Sequence, residues 1–358
     1  MILIENANLY DGEVYRPGVD VLIDGPRVAA VGAGLPGEGA RVIDARGGLC
    51  LPGLNNAHTH AAMTLLRGAG SDLPLMDWLN AVWPLEDKMD GSAIYWGTML
   101  AAAEMLRRGI TSFADMYLHM GDVAAAVGDS GMRANLSRAV VADDGSRVRE
   151  GAALFEEFDG AFDGRAKVYM AVHGEYTSGP DDVRAVIEAA HRLKTGVHIH
   201  LSETPGEVAG CIGRRGASPV KYFDDLGLFE LPALAAHCVA VDQDDIEILA
   251  RRGVWAVHNP ASNLKLASGF MPAEAMRRAG VRLALGSDGV ASNNRYDLFD
   301  DMRLAALAQK ALTGDPAALP VAEVLGMATR GGALAMGFND VGLVKPGMKA
   351  DLILLDPD

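Results

Sequence analysis

Nine histidines occur in the chain, and two of them stand one residue apart in NNAHTHAAMTL (55–65), as His58 and His60. Residues i and i+2 of a β-strand project from the same face, so a His-x-His pair at a strand end aims both rings at one point. The spacing suits chelation of a cation, and it equally suits two polar residues at the edge of a core. A second pair, His198 and His200 in HIHLSET (198–204), has the same spacing and is followed by Glu203. One ring of that pair is expected at a rim as a ligand while the other packs deeper, and periodicity does not say which. Single histidines stand in VHG (His173), AAHC (His237) and VHNPASN (His258), and a carboxylate, Asp288, in GSDG. Each has an ordinary reading. A hydrogen bond to a loop is the favoured one for His258, and Ser, Asp and Gly around position 288 all favour turns. Together, three imidazoles and a carboxylate converging on one place would hold a cation that accepts nitrogen and oxygen, as zinc does.

Convergence requires elements that bring distant residues to one rim. Eight strand-like runs can be read: GLCLPGLNNAH, ITSFADMY, MRANLSRAV, KVYMAVHG, GVHIHLS, LPALAAHC, GVWAVHNP and VRLALGSDG. They alternate with helical stretches such as SAIYWGTMLAAAEMLRR (92–108) and PDDVRAVIEAAHRLK (180–194), the pattern of parallel strands with crossover helices. Eight is the number that closes a (β/α)8 barrel of TIM type, whose catalytic face lies at the carboxyl ends of the strands. Most of the histidines fall there, whereas His119 and His191 fall among helices and loops. A doubly wound open sheet would show a glycine-rich phosphate turn after its first strand, and His-Thr-His stands there instead. Pro52 lies inside the first run, so that strand is expected to begin after it. Short alternating runs before residue 50, together with ADLILLD near the end, predict a small β-sandwich domain built from both termini (1–50 plus 340–358), with the barrel over 51–339.

At 358 residues there is room for a large barrel and a small appended unit. Apolar residues make up 49% and charged residues 22%, ordinary globular usage. The formal charge of −15, with no basic run, disfavours nucleic acid. No basic leader and no membrane-length apolar run is seen, so neither secretion nor insertion is expected. Cys50, Cys211 and Cys238 lie far apart without a C-x-x-C pair, which suggests neither a disulfide framework nor a cysteine zinc site and makes a reducing cytoplasm the expectation.

The strings PGLNNAHTH (52–60), HIHLSET (198–204), AAHC (235–238) and GSDG (286–289) together resemble the amidohydrolase superfamily over nearly the whole chain. Within it, LLRGAGSDLPLMDWLNAVWPLE (65–86), HNPASNLKLASG (258–269) and SDGVASNN (287–294) resemble the S-adenosylhomocysteine and 5′-methylthioadenosine deaminase group. The resemblance implies His58, His60, His200 and Asp288 as ligands of one divalent metal, zinc before iron or manganese, with His237 beside the activated water. Water would add to C6 of an adenine ring as Glu203 protonates N1, while Asp288 takes the water proton and passes it to the departing ammonia. By its spacing alone, Glu203 also reads as a charge at a helix start. Lys167 stands at the wrong end of its strand to bridge two metals, which favours one metal, although Glu175 leaves room for a second.

For substrate contacts the resemblance implies Trp83 as a wall of the ring pocket and His173 at the ribose. It also implies Ser292 and Asn293 near base or ribose, and Arg138 and Arg149, with Arg147 as the other choice for the second, at a homocysteine carboxylate. A lone tryptophan is more often core, and arginines near loops are usually solvated. The sequence departs from the group at Gly174 and Glu175, where a small residue and a proline are usual before the tyrosine, and it stops at Asp358 where members usually continue. The small domain is thus reduced or the chain incomplete. The expected protein is a zinc-dependent aminohydrolase, a homo-oligomer whose partner is a small-molecule nucleoside. Hydrolysis of a triazine, guanine or cytosine ring is the alternative, and a non-catalytic metal-binding barrel the reading from another class.

Overall fold

The computed structural model describes residues 1–142 and 144–356. The amino-terminal segment forms β1 (Ile2–Tyr10), β2 (Tyr15–Asp24), β3 (Arg27–Gly32), β4 (Arg41–Asp44) and β5 (Leu49–Pro52). Then come the strands of a parallel sheet: β6 (Leu54–Thr59), β7 (Ile110–Tyr117), β8 (Arg133–Arg138), β9 (Ala166–Val172), β10 (Val197–Leu201), β11 (Ala233–His237), β12 (Trp255–His258) and β13 (Arg282–Leu285). A last strand, β14 (Leu352–Leu355), runs antiparallel to β5 and completes a six-stranded sheet with the order β14-β5-β1-β2-β3, β4 pairing with β1 beside β5.

The eight parallel strands lie in sequence order from β6 to β13, with helices between successive strands. β10 is buried at every residue, as a strand covered on both faces must be. Crossover helices bury one stripe: in Pro180–Leu193, Val183, Val186, Ile187 and Ala190 face the sheet. The seam between β13 and β6 is closed just beyond β13. There the Asp288 amide donates to the His58 carbonyl at 3.0 Å and the Ser287 amide to Asn56 Oδ1 at 2.9 Å, and Asn56 Nδ2 returns a bond to Ser287 Oγ at 2.6 Å. The result is the expected (β/α)8 barrel with its β unit drawn from both termini.

Two details differ from the sequence reading. The first run divides at Gly53, so that Leu49–Pro52 belongs to the small sheet and Leu54–Thr59 to the barrel, and the changeover falls two residues later than expected. A side chain at Gly53 would overlap Thr111, and its amide donates to the Asp351 carbonyl at 2.9 Å, pinning the switch between sheets. The small unit is a single hydrogen-bonded sheet around its own apolar cluster, which includes Leu9, Val21, Cys50 and Val344. Among the described residues no helix is long and apolar enough to cross a membrane.

Candidate active site

Strand ends deliver the histidines. His58 is the next-to-last residue of β6 and His60 follows the strand; His200 lies in β10 and His237 ends β11. Behind each ring a fixed partner holds Nδ1. His60 donates to the Met116 carbonyl at 2.6 Å and His200 to the His173 carbonyl at 2.7 Å; His237 bonds Asn263 Oδ1 at 2.9 Å, and His58 meets His198 Nε2 at 2.9 Å. A carbonyl only accepts, so the Nδ1 of His60 and His200 carries the proton and Nε2 keeps its lone pair. Those Nε2 atoms converge: His60 and His200 approach to 3.3 Å, and Asp288 Oδ1 lies 3.4 Å from His58 and 3.3 Å from His60. His58 Nε2 is buried with no hydrogen-bond partner among the described residues. Orphaned nitrogen, oriented rings and one carboxylate make a donor set that fits a divalent cation, with the rear hydrogen bonds fixing each ligand's aim.

Electrostatics agree with that set. Burial lowers His58 to about 4 and holds His200 well below the usual imidazole range, so both are neutral donors near neutral pH. For Asp288, burial opposes the charge, but the close approach of His58 and the neighbouring imidazoles outweigh it and hold the carboxyl well below the usual range. The Asp288 backbone takes φ 63°, a strained conformation held by the Gly289 amide on Oδ1 at 2.8 Å and by Ser262 and Ser292 hydroxyls on Oδ2 at 2.6 and 2.8 Å.

Beside the cluster opens a cavity of about 290 Å³, walled by apolar residues including Leu75, Trp78, Leu79, Trp83 and Leu266. Its polar lining includes Glu86, Arg147, His173, Tyr176, Glu203 and His237. Few polar groups on an apolar wall suit a small planar ligand. Glu203 is buried, and burial first, then the charge of Asp288, push its carboxyl up to about 8. Its loop is fixed from behind: Glu207 accepts from the Ser202 and Glu203 amides at 3.2 and 2.6 Å, and Ser202 sits at φ 49°. Glu203 precedes the N-cap Thr204, and its side chain lines the cavity instead of the helix start.

The structure thus brings together His58, His60, His200, His237, Asp288 and Glu203, with Trp83 and His173 on the cavity wall. Other expectations are corrected. Ser292 touches Asp288 from outside the cavity, and Asn293 donates to the Ser287 carbonyl at 2.8 Å; both brace the Asp288 turn. Arg138 is drawn to Glu150 at 2.6 Å, and Arg149 is exposed; Arg147 is the arginine on the cavity wall, donating to the Val141 carbonyl at 2.6 Å. Glu175 is committed to Arg214 and Arg215, which removes it as a ligand for a second metal. His198 is the deeper ring of its pair. His258 is buried with neither ring nitrogen hydrogen-bonded among the described residues, against the loop bond expected for it. Two further residues matter at the site, Glu86 on the cavity wall and Glu207 behind the Glu203 loop. WPLE and T-x-x-E carry them, but nothing local in those strings shows that Glu86 faces a cavity or that Glu207 reaches back to amide groups.

Residues 49–358 match the amidohydrolase family, and the chain belongs to it. The 5-methylthioadenosine/S-adenosylhomocysteine deaminase of Pelotomaculum thermopropionicum is 49% identical over 97% of this chain and 80% of its own. An adenosine deaminase from Xanthomonas campestris, solved with bound zinc, superposes with a TM-score of 0.94 at 36% identity over 99% of this chain and 84% of its own. The atrazine chlorohydrolase of Arthrobacter aurescens, complexed with zinc, gives 0.92 at 27% identity over 100% of this chain and 88% of its own.

Proposed function

We propose that the protein is a zinc-dependent hydrolytic deaminase of adenosine-type nucleosides, with S-adenosylhomocysteine, 5′-methylthioadenosine, 5′-deoxyadenosine and adenosine as substrates to test. The observation that carries the reading is a buried Glu203 facing the same cavity as a converging His58–His60–His200–Asp288 set. Those four residues would hold a divalent cation, which would supply a Lewis acid able to bring the acidity of water to near neutral pH.

The chain's own groups then divide the proton work. Glu203, protonated at neutral pH, donates to ring N1 and makes C6 electrophilic as water adds. Asp288 accepts the proton of that water and returns it to the amino group leaving as ammonia. His237, its Nδ1 proton given to Asn263 Oδ1 and its Nε2 3.7 Å from Glu203, offers the Nε2 lone pair as acceptor to a hydrogen of the attacking water and so orients it. Trp83 and Trp78 offer flat apolar surface to the base, and the buried carboxylate of Glu86, on the cavity wall, suits the two hydroxyl donors of a ribose. Relatives that act on adenosine and its 5′-thio derivatives support the nucleoside class.

The test is ammonia release from these nucleosides, with guanine and a chlorotriazine beside them, using metal-loaded protein and a chelator-treated control. Chelator-sensitive deamination of an adenosine analogue is expected, with about one zinc per chain by elemental analysis. No turnover of any amino-heterocycle by loaded protein would sink the reading.

A further inference from the structure

Glu175 stands in the short turn that follows β9, between two cavity residues, His173 and Tyr176, yet it does not face the cavity. Its side chain is 0% exposed and meets two arginines from the end of the helix Pro205–Arg215. Arg214 donates to both carboxylate oxygens, through Nε at 3.3 Å and through Nη2, while Arg215 donates through Nε at 3.0 Å. Arg215 also lies over the Tyr222 ring, 5.1 Å from its centroid, so its guanidinium is fixed from two sides. An exposed ion pair contributes little, but a fully buried carboxylate that loses its cations becomes an unpaired buried charge.

The same helix carries Glu207 in its first turn, and Glu207 holds the amides of Ser202 and Glu203. One rigid element is therefore bonded at its start to the loop that presents Glu203 and at its end to the turn that presents Tyr176. Within that turn Thr177 Oγ1 meets His173 Nδ1 at 2.9 Å, so the His173 ring also depends on where the turn sits. The His173 backbone is held separately, by strand-type bonds from its amide to Val140 and from the His200 amide to its carbonyl.

We propose, building on the deaminase reading above, that Glu175 with Arg214 and Arg215 is a positioning clamp. It sets the His173–Tyr176 wall of the cavity against Glu203 and so determines substrate affinity and not the chemical step. Because the strand bonds keep the His173 backbone and His200 in place without it, the proton donor and the cation set survive its loss while the His173 ring and Tyr176 slacken.

The test compares metal-loaded wild type, Glu175→Gln, the double variant Arg214→Ala/Arg215→Ala, and their combination, on whichever adenosine analogue the wild type turns over best. The first two should each raise KM roughly tenfold with kcat within about twofold and metal content unchanged. The combination should be no worse than the more affected of the two, since both break one contact. A lowered Tm with unchanged KM, additive effects on KM, or a fall in kcat as large as the rise in KM would overturn the clamp. Should the wild type deaminate none of the analogues, the function reading fails and the clamp is judged by hydrogen exchange. Faster exchange of amides 174–178 in both variants supports it, and exchange unchanged from wild type overturns it.

Discussion

The donor set consists of side chains whose far ends are already occupied. Met116, His173 and Asn263 hold Nδ1 of His60, His200 and His237, and His198 faces Nδ1 of His58. His-x-His spacing exposed the ligand candidates in the sequence because the two-residue period of a strand is a local property. Their rear partners were not legible, since His58 and His198 are 140 residues apart and only the closed barrel joins them. The assigned roles separate by substitution: Asp288→Asn and Glu203→Gln should both abolish turnover, the second by roughly 10²–10⁴-fold, but only the first should lose metal markedly. Elemental analysis of the purified variants decides this, and equal metal loss in both contradicts the division. A proton donor must hold its proton, so activity falls as pH rises through the donor's pKa. Burial places Glu203 at about 8, and a nearby cation favours its carboxylate form and draws the value down. The alkaline limb of kcat/KM should therefore lie at or below about pH 8; a profile still rising through that pH would remove Glu203 from the donor role.

At the scale of elements, helices and strands followed apolar periodicity closely: the run at 180–194 is the helix Pro180–Leu193, and the run at 92–108 is Gly91–Arg107. The loops were poorly legible because no period governs them. In the first turn of the helix Ser146–Phe158, just after such a loop, Arg147 and Arg149 have the same chemistry, and only the place where the folded chain starts that helix decides that the first lines the cavity. Two short helical turns behind Asp288 and the longer helix that follows them share another device unseen in the sequence. Asp301, in the helix Leu298–Thr313, accepts from the Ala261 amide at 3.3 Å and from Asn293 Nδ2 at 3.4 Å, joining Pro260–Lys265 to Val290–Asn293. Burial, with lesser help from Asp300 and Asp297, pushes its carboxyl up from 3.8 to about 8, so it is neutral in the folded protein at neutral pH. A raised folded pKa gives stability that is fully present below about pH 4 and is lost as pH rises through about 8, by roughly 1.4 kcal/mol per pH unit within that window. Asp301→Asn cannot ionise. The difference between variant and wild-type Tm should therefore move in the variant's favour from pH 4 to 8 and level off above, whereas a constant difference would mean that Asp301 is ionised in the fold.

In the whole molecule, the barrel's weakest join coincides with its chemistry. Every neighbouring pair from β6 round to β13 is tied by a parallel ladder, but among the described residues no ladder joins β13 to β6. That seam rests on Asn56, Ser287 and the Asp288 amide, all beside the cation set. Asn56 stands in the same NNAHTH string as His58 and His60, yet its partner lies 231 residues away, so no local pattern could reveal it. A cation bridging His58 and His60 on one side of the seam and Asp288 on the other would add the cross-link that backbone pairing does not supply. Binding to the folded state alone stabilises by about 2.7 kcal/mol at a free concentration a hundredfold above Kd, which should appear as a Tm several degrees lower after chelation and restored by zinc. That shift by itself would follow from any folded-state ligand, so the seam needs a second measurement. Ser287→Ala removes the hydroxyl that accepts from Asn56 and leaves the cation donors intact. If the cation and the Asn56–Ser287 bond hold the same join, their contributions are coupled and not additive. Ser287→Ala should then lower Tm more in the chelated protein than in the loaded one. Equal losses in the two states would mean that the barrel closes independently of its metal.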